Sequence, residues 1–192
     1  MRDDLPPGLP SRSWLWSNFL ATQIAWFAAV LGAAHGFAGW ACVPALAVVV
    51  WHLWRAPQTA REGGLIALAA IAGTLADALV LRQGAIAYAS GQWSAVLPPL
   101  WITGLWAVFA TSLNVTLRCL HGRWWLAALL GAVAGPLAFA SGARLGAAEM
   151  LQPARAMGLL ALEWALVLPA LCALARRLDG ARPAALPSHP AT

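Results

Sequence analysis

Long apolar stretches broken by short polar segments run through most of this chain. They cover residues 13–34, 37–54, 63–81, 98–120, 124–144 and 156–175. Each is close to the ~20 residues that cross a ~30 Å hydrocarbon layer as a helix. Helix is the expected conformation because lipid offers no partner to an unpaired backbone amide. The pattern predicts an all-α polytopic bundle of about six transmembrane helices. Residues 1–12 form a short leading segment, 13–177 a single membrane domain, and 178–192, rich in proline and poor in apolar residues, a disordered tail. The first stretch is too long for a signal-peptide core of about 7–15 residues, and it carries Asn18, Thr22 and Gln23.

Charge orients the pattern. All 12 basic residues are arginine. If the chain starts inside, nine arginines flank the inner ends of the spans (Arg2, Arg12, Arg55, Arg61, Arg118, Arg123, Arg176, Arg177, Arg182) and three the outer ends (Arg82, Arg144, Arg155). That bias satisfies the positive-inside rule and puts both termini in the cytoplasm of a bacterial inner membrane. Trp14, Trp16, Trp51, Trp54, Trp124 and Trp125 cluster at the inner boundary, with Trp40 and Trp93 at the outer one, as an aromatic belt would. Charged residues make up only 10% of the chain and mean hydropathy is +0.70, against about 25% charge in soluble domains. The net charge of +5 therefore marks orientation; no basic stripe suits nucleic acid.

Polar residues inside the spans carry the candidate chemistry. Asp77 and Glu163 fall in the outer halves of spans three and six, and Arg144 closes span five. With Arg82, Glu149 and Arg155 they would form a neutral outer layer. A carboxylate in hydrocarbon costs about 2.5–3.5 kcal/mol on insertion scales, so it must face inward and find a partner or a proton. Two readings stay open: a proton relay or headgroup site, and ion pairs that pin the bundle. Asp77 and Glu163 do not mirror each other in depth, which leaves little support for inverted halves.

A second, neutral set lies further in. Thr103, Ala107, Thr111, Asn114 and Arg118 recur at helical spacing along span four, with Asn18, Thr22 and Gln23 in span one. They are expected either to bond neighbouring helices together or to line a polar cavity with Arg118 at its mouth. In span five, Gly131, Gly135, Gly142 and Gly146 have the small-residue spacing that lets helices approach closely. Pro136 lies among them and removes one backbone donor.

Other chemistry is missing. Cys42, Cys119 and Cys172 show no metal-ligand spacing. Cys119 and His121, with His52 and Cys172, lack a carboxylate to complete a metal set. No nucleophile elbow or phosphate-binding loop occurs. No metal or cofactor is expected.

Three segments resemble a bacterial family of small polytopic inner-membrane proteins catalogued as a domain of unknown function. One is Leu97-Pro98-Pro99-Leu100-Trp101 followed by Leu105-Trp106-x-x-Phe109-Ala110-Thr111-x-Leu113-Asn114. Another is Gly131-Ala132-x-x-Gly135-Pro136-Leu137-Ala138-Phe139-x-x-Gly142-Ala143-x-Leu145-Gly146-Ala147. The third comprises Asn18, Gln23 and Trp26-Phe27, with Asp77 fitting the same pattern. The resemblance implies no activity, cofactor or catalytic residue. It implies a gene context beside fatty-acid-modifying enzymes, which points toward lipid. Phe139 stands where the resemblance implies a tyrosine, so a hydroxyl is absent there.

The functional expectation is a protein that binds or handles a lipid or small amphiphile, as a partner of a membrane-associated enzyme or as a homo-oligomer, with Asn114 and Arg118 meeting a headgroup. The alternatives are a small proton-coupled permease using Asp77 or Glu163, a structural membrane subunit, and an intramembrane enzyme. The last is disfavoured because no nucleophile, base or metal set is recognisable.

Overall fold

A computed structural model describes residues 9–183. Residues 1–8, in the leading segment, and 184–192, in the predicted tail, lie outside the described residues. Six helices follow one another: α1 (Arg12–Ala34), α2 (Cys42–Arg55), α3 (Thr59–Leu81), α4 (Leu100–Leu113), α5 (Trp124–Arg144) and α6 (Pro153–Arg177). Four of them (α1, α3, α5 and α6) are long and apolar enough to cross a membrane. The ends of the described chain meet, since Trp14 of α1 packs with Val115 and Ala181. We call that the termini end of the bundle.

Two predicted spans are shorter as helices. α2 and α4 have 14 residues each, about 21 Å at ~1.5 Å per residue. Before α2, Gly36 takes φ +81°, and the amide of Phe37 bonds back to the Gly32 carbonyl at 2.8 Å. This left-handed ending stops α1 and turns residues 37–41 before α2 can start. α4 stops at Asn114, where the amides of Val115 and Leu117 both bond to the Ser112 carbonyl, at 3.1 and 2.8 Å. His121 Nε2 lies 2.9 Å from the Leu113 carbonyl, satisfying one of the orphan acceptors at the helix end. Asn114 and Arg118 therefore do not continue the helical stripe of Thr103 and Thr111; Asn114 caps the helix and Arg118 begins a short 3-10 helix below the turn.

The fold is not purely helical. Strands β1 (Ile86–Tyr88) and β2 (Ala148–Met150) pair antiparallel at the far end of the bundle, with Ala87 opposite Glu149. Backbone outside a helix still needs partners, and this two-stranded ribbon supplies them for the loops that follow α3 and α5.

Glycine governs the tightest packing. Gly131 and Gly135 of α5 lie against the backbone and ring of Trp164 on α6, with no room for a side chain. Gly73 of α3 does the same for Trp106 of α4. Trp106 and Trp164 stack between these glycine faces, ring centres 4.6 Å apart and 18° from parallel. A stacked pair contributes about 0.5–1.5 kcal/mol beyond its buried area. Gly142 is close to Val30 of α1. Gly146 has a different role from helix packing: at φ +91° it terminates α5, with the Ala147 amide bonded to the Gly142 carbonyl at 3.0 Å.

The burial pattern is inverted relative to a water-soluble domain. Ile24, Leu46, Ile71, Val133 and Leu166 are exposed, Ile24 at 67%, whereas Asn18, His52, Glu62, Thr111 and Asn114 are fully buried. An exterior this apolar needs an apolar solvent. Trp16, Trp54, Trp124 and Trp125 are exposed at the termini end, Trp54 at 82%, as interfacial rings are. Trp14 departs from the belt: it is buried, with its ring beside His52 and the Arg55 guanidinium 5.7 Å from its centre.

Candidate functional site

A cleft of about 800 Å³ runs along the bundle. α1 and α4 form one wall, α5 and α6 the other. Near the ribbon, α1 and α5 close on each other through Val30 beside Gly142 and Ala34 beside Gly146. Further toward the termini end the walls are Phe19, Thr22 and Gln23 on one side and Leu130 and Ala134 on the other. Phe19, Phe27 and Leu130 line the cleft and are also exposed, so it opens sideways, through the face that meets the surrounding solvent.

The cleft is mostly apolar, with Thr22, Gln23, Ser112, Thr116 and Ser141 on its walls, Arg144 at its rim, and Asp77 and Trp106 at its floor. There Trp106 Nε1 donates to Asp77 Oδ2 at 2.6 Å. The arrangement is local in origin: Gly73 and Asp77 are four residues apart and share one face of α3, so the glycine admits the indole ring and the acid meets its N–H. Glu163 reaches from α6 to within hydrogen-bonding range of the Asp77 carboxyl. It is 8% exposed and is not among the residues that line the cleft; apart from the Asp77 carboxyl, no described residue meets its oxygens. Tyr88, the single tyrosine, comes in from β1. Its ring stands edge-on to Trp101 and Phe139, at 5.8 and 6.2 Å, and its buried hydroxyl also lacks a partner. Burial first, then the charges of Asp77 and Glu163, push the Tyr88 phenol well above its ordinary range. It remains a neutral hydroxyl, able to donate and to accept.

The expected outer layer of ion pairs is not formed. Among the described residues Asp179 forms ion pairs with Arg118 and Arg182, and His52 stands 2.9 Å from Glu62, all at the termini end. Arg82, Arg144, Glu149 and Arg155 are exposed, and Arg155 bonds to Gln83 and Gln152. These chains sit at the ends of helices, where water solvates them more cheaply than a buried acid could. Asp77 and Glu163, judged from their depths not to correspond, instead face each other. Arg144 lines the rim of the cleft.

A second acidic group lies at the termini end and is fully satisfied. Glu62 Oε2 accepts from His52 Nε2 at 2.9 Å, and Oε1 accepts from Asn114 Nδ2 at 2.7 Å and from the Gly180 amide at 2.8 Å. The Gly180 carbonyl accepts from the Gln58 amide at 3.0 Å. A Cβ at Gly180 would meet Gln58 and Glu62, so only glycine fits this approach. Arg118 grips Asp179 with two bonds of 2.7 Å and donates through Nε to the Asn114 carbonyl at 2.8 Å. Residues 178–183, predicted as the start of a disordered tail, are thus a docked strap. Its few polar groups have specific buried partners, which composition does not reveal. Burial holds the nearby His121 imidazole below its ordinary value, with Arg118 and Arg176 adding to the effect against a raising pull from the Leu113 carbonyl and Asp179.

The remaining predicted residues divide. Asn18 Nδ2 donates to Thr111 Oγ1 and to the Thr111 carbonyl, at 3.2 and 3.3 Å, joining α1 to α4. Gln23 lines the cleft and is exposed. Asn114 and Arg118, expected to meet a headgroup, are occupied by Glu62 and Asp179 instead. Sequence reasoning missed His52, Glu62, Gly180, Tyr88 and the paired tryptophans. Glu62 sat one residue before a predicted span and looked solvated. A lone tyrosine among apolar helices was a signal that could have been followed.

A bundle of membrane-length helices with an apolar exterior, buried acids and a lateral cleft defines a class of integral membrane protein. Within that class the chain belongs to the family described as protein of unknown function (DUF2878), whose profile matches residues 15–170. No curated protein and no solved structure matches the chain.

Proposed function

We propose that this protein binds a single lipid or small amphiphile, drawn from the bilayer into the cleft between α1 and α5. The observation that carries the reading is the cleft itself: about 800 Å³, within the ~300–1,000 Å³ of small-molecule sites, mostly apolar with a few convergent polar groups. Its side opening suits a ligand that never leaves the membrane. In this reading all six legs cross a bacterial inner membrane, with the termini end in the cytoplasm beside most of the arginines. The leg through α4 is completed by the turn at residues 114–117 and the short 3-10 helix Arg118–Leu120, irregular backbone that is tolerated because protein surrounds it.

Native mass spectrometry of the gently extracted protein tests this. A bound molecule of lipid-like mass is expected, and Ala134→Trp, which fills the cleft from α5, should abolish it. A ligand-free, equally stable wild type would sink the reading. A proton-coupled permease has one observation in its favour, the facing carboxyls of Asp77 and Glu163. It requires proton flux in proteoliposomes that Asp77→Asn removes.

A further inference from the structure

Gln23 stands midway along α1, which has 23 residues from Arg12 to Ala34. Either end of the helix is about 16 Å away at ~1.5 Å per residue. That is beyond the reach of a glutamine, so its amide cannot snorkel to water as a lysine or arginine head does. Gln23 is exposed on the margin of the cleft, with Phe19 and Phe27 one turn to either side on the same face. Other polar groups on the walls are bonded within the bundle. Thr22 donates to the Phe19 carbonyl at 2.8 Å, Thr116 lies 3.5 Å from Asn18 Oδ1, and Ser141 donates to the Leu137 carbonyl at 2.7 Å. Along α1 the polar side chains that bond are Ser13, Ser17, Asn18 and Thr22; the Gln23 amide has no partner among the described residues. The wall facing it is apolar, with Leu130 and Ala134. An unbonded amide in hydrocarbon is costly, and whatever occupies the cleft lies against this one.

We infer that the cleft prefers amphiphiles that carry a hydroxyl midway along the hydrocarbon chain, held there by the Gln23 amide. This deepens the amphiphile reading and rests on it. The amide donates through Nε2 and accepts through Oε1, and a hydroxyl both accepts and donates in return. The polar atoms of ordinary bilayer lipids are in the headgroup and interfacial layers, outside the ~30 Å hydrocarbon core. They do not reach an amide at mid-depth. A hydroxyl within the chain has no partner in the surrounding hydrocarbon either, so in the cleft the two groups satisfy each other. A plain chain leaves Gln23 unbonded, and a hydroxyl beside the head lies at the wrong level. Depth therefore sets the selectivity.

The test uses the whole protein in nanodiscs of phosphatidylcholine, with three probes of equal chain length. They are stearic acid, stearic acid with a hydroxyl at mid-chain, and stearic acid with a hydroxyl next to its carboxyl. Native mass spectrometry reads which probe the protein retains when they compete at equal concentration. The mid-chain hydroxy acid is expected to be favoured about fivefold over both others, the factor of one neutral hydrogen bond. Gln23→Leu, at an exposed position that suits an apolar side chain, should abolish that preference and leave binding of plain stearic acid unchanged. No preference in the wild type, an equal preference for the hydroxyl beside the carboxyl, or a preference that survives Gln23→Leu would overturn the inference while leaving the cleft as an amphiphile site. A wild-type dimer without preference that Gln23→Leu turns into a monomer would overturn it too, by giving Gln23 to a second copy of the chain. If Ala134→Trp displaces none of the three acids, the amphiphile reading itself fails.

Discussion

Glu62 and Glu163 are both buried acids in one helical bundle, yet their surroundings differ completely. Glu62 takes hydrogen bonds from His52, Asn114 and the Gly180 amide. Glu163 has only the carboxyl of Asp77 within hydrogen-bonding range. His52 Nδ1 and Asn114 Oδ1 have no partner among the described residues, but the three bonds to Glu62 still rigidify the fold and hold its parts in register, whereas two facing carboxyls carry a cost that a proton can relieve. The termini-end network fastens the C-terminal strap to the bundle, and the Asp77–Glu163 pair joins α3 to α6 beside the cleft.

The sharpest way to break the comparison is to remove each acid in turn. Glu62→Ala should destabilise the protein by about 3–5 kcal/mol, because it strands a buried histidine, amide and backbone N–H together. Thermal unfolding in detergent would show it, and a loss under 1 kcal/mol would mean that the network is ornamental. Gly180→Ala comes next, at about 1–3 kcal/mol, since its new methyl group meets Gln58 and Glu62. Limited trypsin digestion should then cut after Arg177, at the bond that leads into the strap.

Glu163→Gln is the counterpart and should change stability by no more than about 1 kcal/mol, since the amide keeps the shape of the side chain and can still donate to the Asp77 carboxyl. A large loss would show that Glu163 has a further structural partner. The smallest effect is on pH. His121 is held below its ordinary value of 6.5, so the folded state favours the neutral ring. Its contribution is fully present above that value and fades as the pH falls through it. Melting temperature should decline slightly from neutral to mildly acidic conditions, and the decline should shrink in His121→Gln.

Much of the bundle could be read along the chain. Helix α5, residues 124–144, has the predicted bounds, because apolar length and interfacial tryptophans are local properties. The ends of α2 and α4 were not legible. Each is decided by a turn whose hydrogen bonds depend on conformation, at Gly36 and at Ser112–Asn114. Asp77 and Glu163 were legible as residues that must face inward, since no single acid is tolerated in lipid. That they face each other was not, because it depends on how α3 and α6 rotate about their axes. Those rotations are set by glycine faces and stacked rings, Gly73 on Trp106 and Gly135 on Trp164, which no single-helix pattern contains.

The sequence by itself determined the solvent this chain is built for, the number of its helices and which side chains could not be left facing lipid. Hydrophobic length and charge distribution act residue by residue, without knowledge of neighbours. Tertiary structure alone decided the partners. It set Glu62 against His52, Asn114 and Gly180, across 10, 52 and 118 residues of chain. It set Glu163 of α6 against Asp77 of α3, beside a cleft walled by α1, α4, α5 and α6. Hydrogen bonds and close packing act over a few ångströms, and only the folded bundle brings such distant residues within that reach.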